Sequence, residues 1–225
     1  MLKKIAMPVK FKRFYKEYYD KEFTLLDIGC GNHSAQKTKH WFNGCAYYGL
    51  DRDNYNNDTA DFALMEKFYS IDLVNEPEKV EIIPNDFFEI IVLNHVIEHL
   101  SNGLDIISAL TSKLKAGGKI YIEFPSSKSL SLPNMYGSLN FSDDQTHVRV
   151  YSAREISNLL LAHNFRIVRA GVRKDIVRIL LFPANIIMHL LKYRKLSGVI
   201  FWDITGFAEF VFAEKHSTLN IAVEK

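Results

Sequence analysis

The chain has 225 residues, 48% of them hydrophobic, enough for a single domain spanning 1–225 with its own core and too much for a peptide-like or disulfide-dependent scaffold. A formal net charge of +2 makes no whole-chain case for a nucleic-acid partner. The two cysteines, Cys30 and Cys45, have neither the paired spacing of a zinc knuckle nor the number of a secreted disulfide framework, so a reducing cytoplasm is the expected setting.

The N-terminal stretch MLKKIAMPVKFKRFYKEYY is basic but lacks the continuous apolar run of a signal peptide. Residues 1–22 read as a helical cap in which Lys3, Lys4, Lys10, Lys12, Arg13 and Lys16 form a solvated face or grip phosphates. The interleaved Phe11, Phe14, Tyr15, Tyr18 and Tyr19 would pack over a crevice of the domain. Apolar runs rich in branched and aromatic residues then recur at 24–30 (TLLDIGC), 46–51 (AYYGLD), 68–73 (FYSIDL), 87–94 (FFEIIVLN) and 119–124 (KIYIEF). Helix-like material separates them, and such alternation predicts an α/β domain with a mostly parallel sheet and helices on both faces.

Two helices are legible in detail. Asn102 can cap one in which Ile106, Ile107, Leu110 and Leu114 share a face, ended by Gly117 and Gly118. Ser152 and Glu155 stand in capping-box spacing ahead of Ile156, Leu159 and Leu160, and after Asn164 the run FRIVRAGV reads as a sixth strand. A seventh is expected at LNIAVE, 219–224. Residues 175–206 form a long apolar helical insertion before it, too interrupted by Arg178, Pro183 and Asn185 to cross a bilayer. A lid over a lipophilic acceptor, a homodimer surface, a peripheral membrane contact and a simple packed excursion all fit that segment.

His95, Glu98 and His99 spell H-x-x-E-H, a zinc-peptidase signature that needs both histidines on one continuous helix. Here the pentapeptide comes directly after a buried-strand run, and no metal is expected. A different site emerges at the strand ends. Gly29 and Gly31 permit a tight turn and close approach of a ligand after strand one, while strand two ends in Asp51, strand three in Asp72 and strand four in Asn94 and His95. In an open α/β sheet, ligands bind beyond the carboxyl ends of the strands.

Taken in order, DIGCG, GLD, IDL, LNHVIEHL and LKAGGKIYIEFP resemble the motifs of class I S-adenosylmethionine-dependent methyltransferases, over residues 24–125, and HVRVYSAREISNLLLAHNFRIV is similar to the next helix and strand of that family. The resemblance implies a Rossmann-like, seven-stranded sheet whose last strand is antiparallel. It also implies S-adenosylmethionine as cofactor: Asp27, Gly29 and Gly31 at its methionine end, Asp51 on the ribose, and Asp72 with Leu73 at the adenine. The E-H-L after strand four is a common feature of that family, so the zinc-like spelling reads as coincidence. An NAD-dependent oxidoreductase is the competing reading, but the third glycine of its fingerprint is Ser34 here. A noncatalytic cofactor-binding partner subunit is another.

If the acceptor is a hydroxyl, a base assists its attack, and His147 in THVRVYS is the first candidate, with His95 and His99 behind it. Asn94 is followed by His95 and Val96 rather than by the N-P-P-Y type motif of amino-methyltransferases, and neither cysteine lies near strand four or five. An oxygen on a small metabolite or a bacterial surface-glycan precursor is the expected acceptor, the glycan preference resting on the resemblance of H-V-R-x-Y-S and the apolar insertion to methyltransferases of polysaccharide clusters.

Overall fold

A computed structural model describes residues 7–217. Seven strands form one sheet: β1 (Phe23–Ile28), β2 (Cys45–Asp51), β3 (Lys67–Ser70), β4 (Phe88–Asn94), β5 (Leu114–Pro125), β6 (Phe165–Val172) and β7 (Ala208–Lys215). Their order is β3-β2-β1-β4-β5-β7-β6. Neighbours among the first five pair in parallel, and β7 runs antiparallel to both β5 and β6.

The helices are, in chain order, α1 (Val9–Lys12), α2 (Tyr15–Tyr18), α3 (Ser34–Trp41), α4 (Thr59–Ala63), α5 (Gly103–Thr111), α6 (Ala153–Ala162), α7 (Ile176–Leu180), α8 (Phe182–Tyr193) and α9 (Trp202–Thr205). Successive side chains of a strand point to opposite faces, and both faces here are covered, which is why β1 and β4 read as unbroken apolar runs. Leu26, Ile28, Ile91, Leu93, Ile120 and Ile122 pack with Ile106, Ile107 and Leu110 of α5 and Ile156 and Leu160 of α6. Leu25, Ile90, Val92 and Tyr121 face the other way, toward Ala35 of α3 and the N-terminal aromatics. There Phe11 and Phe14 pack on Phe42 with ring centroids 5.3 and 5.2 Å apart, so these rings seal a sheet face rather than the crevice.

Several local expectations change. The capping residue of α6 is as read, Ser152 Oγ accepting from Glu155 N at 3.1 Å. Asn102 stands before α5 but makes no side-chain cap; its Nδ2 donates to the Leu73 carbonyl at 2.8 Å, tying α5 to the turn after β3. Leu114, Gly117 and Gly118 belong to β5, which starts five residues before the expected 119. The seventh strand is Ala208–Lys215, where the branched and aromatic A-E-F-V-F-A alternates between the two cores, and the expected strand at 219–224 lies outside the described residues.

Strand order reverses at β1, flanked by β2 on one side and β4 on the other. Connections leave in opposite directions from that point, and the crevice between them opens at the carboxyl ends of the strands.

Candidate active site

The loop from β1 into α3 is shaped by two glycines. Gly29 holds φ at 71°, and a Cβ there would stand 2.4 Å from Val96 Cγ2. A Cβ on Gly31 would stand 2.6 Å from the Tyr55 carbonyl oxygen, so the chain after β2 can close on the loop only over glycine. The backbone donors of this loop are all satisfied inside the protein. Gly29 and Cys30 donate to the Leu50 carbonyl at 2.8 and 3.2 Å, and Asn32 to the Tyr55 carbonyl at 2.9 Å. Gly31 donates to Asp51 Oδ2 at 3.2 Å and His33 to Asn57 Oδ1 at 3.2 Å. A pyrophosphate cradle requires such groups to be open, and here none of the five is.

Beyond the strand ends lies a cavity of about 830 Å³. Gly29 and Gly31 come to it from β1, Asp51 from β2, Asp72 and Leu73 from the turn after β3, and Asn94 and His95 from the tip of β4. Arg52, Asp53 and Tyr55 complete one wall; His99, Asp144 and Thr146 stand on the opposite one. Four carboxylates, those of Asp51, Asp53, Asp72 and Asp144, thus face a space whose cationic groups are Arg52 and His95. Such a lining favours a ligand that carries positive charge.

The acids differ in their surroundings. Burial pushes the Asp51 carboxyl up, against the opposing pull of the Arg52, Asp53 and Gly31 amides. β3 ends at Ser70, so Asp72 caps the next turn instead of ending the strand, accepting from Val74 N at 3.0 Å, Asn75 N at 3.1 Å and Asn75 Nδ2 at 2.9 Å. The Asn75 side chain and amide hold the Asp72 carboxyl below its ordinary range. Asp27 is buried behind the wall and is not part of it. It accepts from Ser34 Oγ at 2.5 Å, Tyr47 OH at 2.9 Å and Lys10 Nζ at 3.4 Å, fixing the start of α3 against the sheet.

His95 sits at φ 57°, and its two ring nitrogens meet Glu98 Oε1 at 3.0 Å and Glu123 Oε1 at 3.2 Å. Burial alone would lower its pKa, but hydrogen bonds to Glu123 and Glu98 win and raise it to about 9. Arg173 Nη1 reaches the same Glu123 oxygen at 3.3 Å, and its Nη2 reaches Asp203 Oδ2 at 3.1 Å, all within the interior. Burial works against the Glu123 charge, yet His95, Arg173 and Tyr121 outweigh it and hold the carboxyl down to about 2. Residues 97–99 form a single 3-10 turn, so His95 and His99 do not share the continuous helix of a zinc peptidase.

On the opposite wall, Val148 N donates to the Glu98 carbonyl at 2.8 Å and Tyr151 OH to that of Leu100 at 2.8 Å, which brings the 144–151 segment against the turn after β4. His147 itself does not line the cavity; it stands behind Thr146, its side chain 6% exposed, with Nδ1 2.7 Å from the Phe141 carbonyl. Asp143 knits the loop before it, accepting from Leu139 N at 2.7 Å, Asn140 N at 2.8 Å, Met135 N at 3.1 Å and Asn134 Nδ2 at 2.7 Å. Of the residues singled out from sequence, Gly29, Gly31, Asp51, Asp72, Leu73, Asn94 and His95 converge on one cavity, while Asp27 and His147 back it. Sequence reasoning missed the Glu98–His95–Glu123–Arg173 network. Its signal was Glu123, a lone acid inside the apolar run K-I-Y-I-E-F. Both cysteines are buried, and burial pushes Cys45 up to about 12 and raises Cys30 as well, which leaves no reactive thiol among the described residues.

A family model described as a methyltransferase domain matches residues 7–170. No curated protein matches in sequence. Among solved structures, an S-adenosylmethionine-dependent methyltransferase from Archaeoglobus fulgidus superposes with a TM-score of 0.56 at 20% identity, covering 92% of this chain and 91% of its own. A phosphoethanolamine N-methyltransferase from Haemonchus contortus, bound to S-adenosylmethionine, gives 0.60 at 15% identity over 92% of this chain and 52% of that one. The [4+2]-cyclase SpnF gives 0.58 at 17% identity, covering 92% and 81%. At these identities the structures share the fold, and one fold carries more than one reaction.

Proposed function

This chain belongs to the methyltransferase-domain family, and we propose that it transfers a methyl group from S-adenosylmethionine to an oxygen of a small metabolite or a surface-glycan precursor. The observation that carries the cofactor reading is the pairing of an acid-lined cavity with a glycine loop whose amides are all satisfied. A sulfonium and an ammonium suit four carboxylates; a nicotinamide dinucleotide would bring a pyrophosphate to a loop with no donor left for it.

In this reading Asp51 accepts from the ribose hydroxyls through lone pairs that its amide partners leave open. The turn at Asp72 and Leu73 borders the adenine, and Gly29 and Gly31 border the methionine end. Asp27 acts from behind, by holding Ser34 and Tyr47, while Asn94 and the clamped His95 form the floor toward the acceptor. The cofactor supplies an activated methyl carbon. The protein's task is to hold an acceptor oxygen in line behind it and to keep water out. His147 is the acceptor-side group: its Nδ1–H donates to the Phe141 carbonyl, leaving on Nε2 a lone pair that can take a proton or hold an electrophile.

The acceptor is met at a membrane surface. α8 buries none of its residues, and Ile187, Met188 and Leu191 are 59%, 60% and 79% exposed beside the exposed Lys192, Arg194 and Lys195. An apolar helix face ending in a basic cluster matches an anionic lipid interface. No helix among the described residues is long and apolar enough to cross a membrane.

Calorimetric titration tests the cofactor reading: wild type should take S-adenosylmethionine and give no heat with NAD. Binding of NAD with no response to S-adenosylmethionine would reverse the assignment. Release of S-adenosylhomocysteine across a panel of hydroxyl-bearing acceptors then separates an enzyme from a noncatalytic subunit, which would release none.

A further inference from the structure

We propose that Glu98, His99 and His147 form a binding site for a divalent transition-metal cation at the acceptor wall of the cavity. One nitrogen from each histidine and one oxygen from the glutamate lie within 4.8 Å of one another. Ligands at about 2.1 Å from a tetrahedral ion stand about 3.4 Å apart, so the widest pair must close by up to about 1.4 Å through side-chain rotation to complete the shell.

Hydrogen bonding has prepared each ligand. Thr146 Oγ1 donates to the carboxylate of Asp144 at 2.5 Å, so toward His99 Nδ1, 2.9 Å away, it can only accept. That fixes the proton of His99 on Nδ1. The Phe141 carbonyl does the same for His147. Both rings therefore carry their lone pair on Nε2, with Nδ1–H anchored to an oxygen, the arrangement found in metal-bound histidine. Glu98 is 1% exposed; its Oε1 lies 3.0 Å from His95 Nδ1, and its Oε2 has no partner. A buried carboxylate oxygen left bare is costly unless a cation completes it.

The spelling H-x-x-E-H thus divides differently from a peptidase. Both nitrogens of His95 are held by carboxylates, which removes it as a ligand, and His147 arrives from 48 residues beyond His99 through the Val148–Glu98 backbone bond. Three protein ligands leave coordination positions open, and His99, Asp144 and Thr146 put that opening on the cavity. The site deepens the methyl-transfer reading and rests on it for its chemistry. An acceptor hydroxyl coordinated there is acidified and loses its proton to water. Its oxygen pair then forms the bond to the methyl carbon as the carbon–sulfur bond breaks, with that electron pair remaining on sulfur. Imidazole nitrogens favour zinc, cobalt or iron over magnesium.

The test uses full-length protein stripped with chelator and titrated separately with Zn²⁺, Co²⁺ and Mg²⁺, read by calorimetry and by cobalt absorption. Wild type should take one equivalent of zinc or cobalt in preference to magnesium. His99→Ala and His147→Ala should each weaken uptake at least tenfold, while His33→Ala, which removes the other cluster of possible ligands at His33, Asp58 and Asp61, should bind as wild type does. Absence of uptake by wild type, uptake unchanged in both alanine variants, or uptake lost in His33→Ala overturns the site. Titration of every variant with S-adenosylmethionine reports that the fold is intact. A wild type that ignores this cofactor but keeps a cobalt spectrum dependent on His99 and His147 would end the methyl-transfer reading and leave the metal site standing.

Discussion

Residues 29–33, the loop after β1, have an internal acceptor for every backbone donor, whereas residues 182–193, which form α8, bury no side chain. The loop is over-determined: two glycines, one carbonyl at Leu50 and one carboxylate at Asp51 leave it a single shape. α8 is under-determined by the chain itself, since its apolar residues face outward. In the proposed function, the contrast separates a cofactor pocket that the protein organises in advance from a helix face that a surface outside the chain would complete. From the cavity wall a hydrogen-bonded network runs from Glu98 through His95, Glu123 and Arg173 to Asp203 in α9.

The largest effect should come from that link. Glu123→Ala leaves the buried Arg173 guanidinium and the part-buried His95 ring with one anionic partner fewer, and removing one member of such a network costs about 3–5 kcal/mol. Urea unfolding of the variant should show a loss of that size. A loss under about 1 kcal/mol would mean that the interior charges are already hydrated, and the contrast between a fixed pocket and an unfixed helix would weaken. Next in size is Asp51→Ala, which removes a charged acceptor from ligand hydroxyls and also the partner of Gly31 N. Affinity for S-adenosylmethionine should fall about 10- to 100-fold, hydrogen bonds to a charged group being worth about 1.5–3 kcal/mol. Unchanged affinity by calorimetry would remove Asp51 from the pocket's function.

Legibility in the sequence obeys the same division. β1 and β4 are plain because buried branched residues run through nearly their whole length, β2 and β6 because aromatic and branched residues mark them between helical stretches, and Asp51 and Asp72 stand out as acids terminating apolar runs. β5 reads short because K-A-G-G resembles a helix end, whereas Gly117 at φ 76° turns the chain inside a strand that has already begun. Asn102 looks like a cap because residue type and position fit; only tertiary structure shows that its amide is taken by Leu73. His147 is visible as a titratable residue in a loop, but Glu98, whose carbonyl accepts from the next residue Val148, is hidden inside a misleading pentapeptide. No local pattern reveals that two segments so far apart in the chain are joined through the Glu98 carbonyl.

Asp143 gives a pH-dependent version of the comparison. Burial works against its charge, but the Leu139, Asn140 and Met135 amides and the Asn134 side chain outweigh it and hold the carboxyl down to about 2. A depressed folded pKa stabilises above the unfolded value, about 3.9, and that stabilisation is lost as pH falls through the folded one. Asp143→Asn should therefore lower Tm at pH 7, and the gap from wild type should narrow between about pH 4 and pH 2. A gap independent of pH would mean that the loop is held by the side chain's shape rather than by its charge.

The smallest effect on stability is expected in α8, and that smallness is what makes the helix informative. Leu191 is 79% exposed, so Leu191→Ser removes almost no buried apolar surface and should shift unfolding by under about 0.5 kcal/mol, as surface substitutions do. The same change, made together with Ile187→Ser, should abolish co-sedimentation with vesicles containing phosphatidylserine while leaving S-adenosylmethionine binding intact. High salt should weaken wild-type binding without removing it, because burial of the apolar face persists when Lys192, Arg194 and Lys195 are screened. If wild type ignores vesicles at every salt concentration and instead sediments as a dimer that Leu191→Ser and Ile187→Ser dissolve, the helix meets a second copy of this chain and the acceptor need not lie at a membrane. If neither vesicles nor self-association respond, α8 has no outside surface to meet, and the line drawn between the organised pocket and the unfinished edge disappears.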